Sequence, residues 1–193
     1  MTKAQLRTQM RRRRNALTIA EQTGLGHRWC ARFTGLPLFE NATAFAAYWP
    51  CRGEVDIRPL LNLGRNLGKS IFLPTVSATG MWFGQWEGTP PPKNRSCGLR
   101  QPTKNSPRLP NLRTLDFVIV PLLAFDRCGL RLGQGGGYYD RRFQLRRFQN
   151  WHKPPLIGAA YDFQEVATVP MDPWDVSLDR IVTNDEIITP VNR

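Results

Sequence analysis

The spacing of apolar residues changes period several times along this chain, and each change marks an element. Near the amino terminus Leu6, Met10 and Leu17 form a helical stripe, and Lys3, Arg7, Arg11 and Arg14 lie beside it within an arc of about 80°. Thr2 and Gln5 have capping-box spacing, so a helix is expected to start near Lys3. Its apolar stripe should dock while the basic edge, Arg14 included, points along the protein surface. Thr18 and Glu21 repeat the capping signal and predict a second helix that ends before Gly35. Short apolar runs then predict strands over residues 43–50, 69–74, 81–86, 116–121, 155–160 and 180–183. Helices are expected over 57–67, with Pro59 in the first turn, and over 138–149. Residues 51–53 read as a turn leading into Glu54, and residues 88–110, with six prolines, as a long irregular connection. Strands that alternate with helices favour an α/β fold with a mainly parallel sheet.

Composition narrows the class. A chain of 193 residues fits one domain, 1–193, and 41% hydrophobic content with six Trp and ten Phe argues for a packed core. A formal charge of +12 predicts attraction to polyanions, whether nucleic acid, acidic membrane or phosphorylated small molecules. Cys30, Cys51, Cys97 and Cys128 are scattered without a C-x-x-C pair, which disfavours a zinc site and makes a reduced cytoplasm the expected compartment. No secretory or membrane-spanning segment is expected.

The stretch richest in chemistry is RLGQGGGYYDR, residues 131–141, with Gly133, Gly135, Gly136 and Gly137 in five positions. Glycine lets a backbone approach phosphate with its N–H groups, and a position between strand and helix adds a favourable dipole. The loop is neither a Walker A loop nor a dinucleotide fingerprint, because no Gly-Lys-Ser/Thr follows and Tyr138 stands where the third glycine would be. A tight turn is the alternative reading. Asp140 and Asp175 are candidate ligands for a cation such as Mg²⁺, which with a nucleotide needs only one or two carboxylates; each also reads as an ordinary cap or ion-pair partner. Glu54 beside Tyr48 and Trp49 suits a flat heteroaromatic with N–H donors, or else caps a helix next to core aromatics. Met81, Trp82 and Trp86 are core or pocket.

In order along the chain, KAQLR, YWPCRGEVD, FLPTV, VPLLAFDRCGLRLGQGGGYYDR and PWDVSLDRIV resemble the 5-formyltetrahydrofolate cyclo-ligase family, whose members are also called methenyltetrahydrofolate synthetases. The long central motif is specific and the others are individually weak. The resemblance implies a three-layer α/β/α sandwich and ATP-driven, Mg²⁺-dependent conversion of 5-formyltetrahydrofolate to 5,10-methenyltetrahydrofolate. It implies ATP contacts from Lys3, Arg7 and the loop Arg131, Leu132, Gly133, Gln134, Gly135, Gly136, Gly137, Tyr138 and Tyr139. Folate contacts would come from Trp49, Glu54 and the stretch Gln134 to Tyr138, magnesium contacts from Asp140 and Asp175, and catalytic roles from Arg7, Arg131 and Tyr138. Some members carry a lysine where this chain has Gly136, so Arg7, Arg131 or another cation would have to do more here. A monomer with small-molecule partners, without nucleic acid or membrane, is expected. Two alternatives stand beside this reading: a nucleotide-binding paralogue with another substrate, and an RNA-binding protein that uses the Arg11 to Arg14 cluster.

Overall fold

Both capping boxes form. Thr2 and Gln5 cap α1 (Lys3–Asn15), and Thr18 and Glu21 cap α2 (Ile19–Thr34), which stops at Gly35. A computed structural model describes residues 1–94, 98–147 and 153–191. After the four-residue α3 (Pro37–Glu40) come β1 (Ala44–Ala46), α4 (Arg58–Asn66), β2 (Ser70–Ser77) and β3 (Gly80–Gln85). Then follow β4 (Phe117–Pro121), β5 (Ala124–Phe125), β6 (Arg131–Leu132), α5 (Tyr138–Arg142), β7 (Leu156–Ala159), β8 (Arg180–Val182) and β9 (Ile187–Ile188).

Seven strands form one sheet in the order β3-β2-β1-β4-β7-β8-β9. The five central strands are parallel, and the two edges are antiparallel. Side chains alternate across this sheet. Phe45, Phe117 and Ile119 face α2, α3 and α4, whereas Ala46, Val118 and Val120 face the opposite core. The pairing of Phe45 with Phe117 stacks their rings at 4.8 Å and pins the register of β1 and β4. The opposite face is covered by α5, the turn after it and Leu109, Leu112 and Leu115, so that layer contains little regular helix. The α/β class and mainly parallel sheet agree with expectation.

Several boundaries differ. The strand expected over 43–50 keeps ladder pairing only at Ala44–Ala46, and its continuation runs extended into the site. β2 runs on to Ser77, since Pro74 lies past its last partner in β1 and needs no ladder N–H on that side. The helix expected over 138–149 is a five-residue α-helix followed by a 3₁₀ turn over Gln144–Arg147, and residues 148–149 lie outside the described residues. The β5–β6 hairpin and β9 were not anticipated.

Candidate active site

The glycine loop grows from a hairpin and not from a parallel strand. Buried Asp126 accepts hydrogen bonds from the backbone N–H of Cys128, Leu130 and Val169, and Gly129, at φ 85°, completes the turn between β5 and β6. Leu6 and Met10 of α1 pack on this hairpin against Ala124, Leu130 and Leu132. Docked there, the helix lays its arginines on the loop. Arg7 Nε donates to the Gly133 carbonyl at 3.0 Å, and Arg11 bonds the Gln134 carbonyl at 3.0 Å and its Oε1 at 3.1 Å. From the other side Arg141 donates to the Gly136 carbonyl at 2.7 Å. Gly135 and Gly137 take left-handed φ values of 109° and 61°, which only glycine adopts without strain. Carbonyls are thus turned toward guanidinium groups. Among the described residues none of the amides from Gly133 to Gly137 donates a hydrogen bond within the protein. A row of unspent N–H donors is what an anion-binding backbone would need.

One side of the loop opens on a charged cavity of about 430 Å³, which Lys3, Arg7, Arg131, Leu132, Gly135, Asp140, Asp172, Trp174 and Asp175 help to line. Arg131, nearly buried, is spoken for: it donates to the Val176 carbonyl at 2.7 Å and to Asp140 at 2.8 Å. Lys3 bonds Asp175 at 2.6 Å and Asp172 at 2.7 Å. Burial lowers the Lys3 pKa, but the two carboxylates outweigh it and raise it overall. Asp140 and Asp175 therefore stand in the same cavity, and each keeps one carboxylate oxygen without a hydrogen bond among the described residues. Among the described residues no three acidic, His or Cys side chains are grouped so that they could hold a metal ion by themselves. Two spare carboxylate oxygens suit Mg²⁺, which keeps waters and phosphate oxygens as its remaining ligands, and do not suit a metal that needs a full protein cage.

The other side opens on a mainly apolar cavity of about 350 Å³. It sits beyond the carboxyl ends of β1 and β4, where the strand order reverses and open α/β sheets form crevices. Tyr48 and Trp49 continue β1 into it and Leu122 continues β4; Met81, Tyr138 and Tyr139 close it. Gln134 and Gly136 line this side, whereas Gly135 lines the charged one. Trp49 is half-buried against Trp86 at 6.1 Å. Trp82 lies elsewhere, under the Arg108 guanidinium at 4.3 Å. Glu54 accepts from the backbone N–H of Cys51 at 3.1 Å, which leaves its second oxygen uncommitted. Burial pushes the Glu54 pKa up, with Arg14 and the Cys51 hydrogen bonds pulling against it. Arg131, Gly133, Gly137 and Asp140 line both cavities and form a common wall.

Arg14 corrects the expectation of a wholly exposed basic edge. It is 1% exposed, and its guanidinium donates to the carbonyls of Arg52 and Leu122. The helical wheel carries the signal, because Arg14 follows Met10 by four residues and Leu6 by eight, which places it at the margin of the docking stripe. The Arg11 to Arg14 run is consequently not one surface patch: Arg12 and Arg13 are exposed, Arg11 holds the loop and Arg14 is buried. Trp174, 61% exposed on the wall of the charged cavity, and Leu99 and Arg100 from the proline-rich connection were also not anticipated as lining residues. No helix among the described residues is long and apolar enough to cross a membrane.

The whole arrangement has relatives. The chain is 32% identical to a 5-formyltetrahydrofolate cyclo-ligase of Escherichia coli K12 over 183 residues, which covers 92% of this chain and 98% of the relative. It is 31% identical to the protein of that name from Haemophilus influenzae, covering 90% and 93%. Its fold matches the NMR structure of an Aquifex aeolicus 5,10-methenyltetrahydrofolate synthetase with a TM-score of 0.83 at 31% identity, over 100% of this chain and 95% of that one. A Mycoplasma pneumoniae 5,10-methenyltetrahydrofolate synthetase gives 0.76 at 27% identity, over 95% and 99%. Residues 1–184 match the pattern of one family, and the chain with its two-sided glycine loop belongs to it: the 5-formyltetrahydrofolate cyclo-ligase family of enzymes.

Proposed function

We propose that this enzyme uses ATP and Mg²⁺ to close 5-formyltetrahydrofolate to 5,10-methenyltetrahydrofolate, with release of ADP and phosphate. The observation that carries the reading is the common wall. One cavity offers unspent amides and cations for a triphosphate, the other offers aromatic surface and a carboxylate for a pterin, and Arg131, Gly133, Gly137 and Asp140 belong to both. A phosphoryl donor and its acceptor need such adjacency, because phosphoryl transfer depends mainly on positioning and charge stabilisation.

The chemistry asks for it. Ring closure must expel the formyl oxygen, a very poor leaving group. When that oxygen takes the γ-phosphoryl group, ADP departs, and N10 can attack the activated carbon; N10 loses its proton, and the oxygen leaves within inorganic phosphate. Amides of Gly133 to Gly137 would hold the phosphates. Arg7 is the best placed cation for the transferring group, since among the described residues only its Nε is engaged, whereas Arg131 uses both terminal nitrogens on Val176 and Asp140. Lys3 would exchange Asp172 and Asp175 for phosphate and so free carboxylate oxygen for the metal. Bound Mg²⁺, held by Asp140 and Asp175, would neutralise phosphate charge and favour its transfer. Trp49, Tyr138 and Glu54 would bind the pterin, Glu54 by accepting its N–H groups. Tyr138 and Tyr139 line the apolar side of the loop.

The test is direct. Purified protein given ATP, Mg²⁺ and 5-formyltetrahydrofolate should develop the near-ultraviolet absorbance of the methenyl product. Folded protein that binds ATP yet gives no signal would reject the substrate and favour a paralogue with another acceptor.

A further inference from the structure

A buried guanidinium that forms no ion pair among the described residues demands an explanation, because an unpaired buried charge is costly. Arg14 is such a group. It is 1% exposed, and its Nε has no partner. Its terminal nitrogens reach two carbonyls that belong to different parts of the apolar cavity, Arg52 after β1 and Leu122 after β4. Gln164, also buried, holds the Leu122 carbonyl from the far side at 3.0 Å. Arg52 adopts a left-handed φ of 50°, uncommon for a residue with a side chain, and Gly53 follows at 71°. Backbone of this kind persists only where its surroundings over-determine it. The Arg14 carbonyl lies 3.4 Å from where a Gly53 Cβ would stand, so the end of α1 rests on this turn as well as bonding it. Glu54 is the next residue.

We propose that Arg14 is the positioning residue of the folate cavity: from beneath, it fixes the turn that aims Glu54 and supplies the buried positive charge that keeps Glu54 an acceptor. The inference rests on the function proposed above. The groups around Glu54 support it. Tyr48 reaches Glu54 from the end of β1, Tyr139 from α5 and Tyr161 from the segment after β7, and all three phenols are raised by burial, Tyr161 to about 12. The Cys51 thiol is likewise pushed up to about 12, first by burial and then by Glu54 itself. These four groups are therefore neutral near pH 7. Of the cations that act on Glu54, Arg52 is exposed and screened by water and Arg14 is not, while Arg131 and Asp140, which line the same cavity, are paired with each other. Loss of Arg14 should let Glu54 protonate at higher pH, and a protonated carboxyl accepts fewer pterin N–H groups.

The experiment compares wild type, Arg14→Gln, Arg14→Lys and both Arg14 variants in a Glu54→Gln background, with KM for each substrate and the pH profile of kcat/KM for 5-formyltetrahydrofolate. Arg14→Gln should raise the folate KM about tenfold, change the ATP KM less than about twofold, and move the acidic limb of the profile upward by about one pH unit. Arg14→Lys keeps the charge but not the two-carbonyl fork. It should therefore raise the folate KM severalfold and leave the limb near that of wild type. In the Glu54→Gln background the effect of Arg14→Gln should shrink to less than about twofold. Equal rises in both KM values, an unmoved limb or full additivity would overturn the proposal and leave Arg14 a structural residue. If Arg14→Gln does not fold, Arg14→Lys decides: an unchanged folate KM, or matching rises in both KM values, overturns it. Wild type without turnover would instead reject the functional reading, and this inference with it.

Discussion

The two sides of the glycine loop are built by different means. The charged cavity is assembled from residues far apart in sequence, Lys3 with Asp175 and Arg7 with Gly133, tied by single polar contacts across the surface. The apolar cavity is the prolongation of neighbouring strands β1 and β4, whose register the core already dictates. Polar ties can be cut one at a time without disturbing a sheet, whereas strand ends cannot be moved without moving the core. Substitutions on the charged side should therefore separate catalysis from stability more cleanly, except where a tie runs through the buried Arg131.

The two carboxylates proposed to hold magnesium, Asp140 and Asp175, test that exception most severely. If the proposed site holds, Asp175→Asn and Asp140→Asn should each lower turnover on the order of 100-fold, since each removes a carboxylate charge from the cavity assigned to metal and phosphate. Only Asp140→Asn should also cost stability, about 3 kcal/mol, because it leaves the nearly buried Arg131 unpaired. Steady-state rates with thermal melts separate the two, and equal melting losses would erase the distinction drawn here. The next largest effects set one cavity against the other. Arg7→Ala should raise the ATP KM about tenfold and spare the folate KM, while Glu54→Gln should do the reverse by a similar factor. Either of these two variants raising both KM values together would show that the sides are not independently built. The smallest effect is expected where both cavities are out of reach. Arg12→Glu with Arg13→Glu should change turnover less than about twofold, because both side chains are exposed and Arg13 rests on Phe163 at 4.9 Å. A large loss would mean that α1 is docked otherwise.

How much of this could be read from the residues follows the same division. Capping boxes at Thr2 and Thr18, the strand around Val118 and the helix opened by Pro59 are local signals, and all formed within a few residues of expectation. The glycine loop was visible as composition, and its partner arginines as a stripe. What stayed hidden depends on tertiary placement. Arg14 sits at a stripe margin, and only the docking of α1 over Leu122 decides that it goes inside. The DRCG turn around Asp126 carried a hairpin signal, but its strands are two residues each, too short for period-two alternation to register. The expected helix after the loop stops at Arg142, so a helix dipole would contribute less to the proposed anion binding than the bare amides and arginines would. Trp174 was not singled out, because nothing in its neighbourhood marks which cavity an exposed indole will flank.

The partition formed by Arg131 and Asp140 has a thermodynamic corollary. A ligand on either face would press on the same few atoms, so occupancy of one compartment should alter the free energy of filling its neighbour. Linkage would make that influence mutual: whatever factor the proposed nucleotide imposed on folate affinity, folate would return to nucleotide in equal measure.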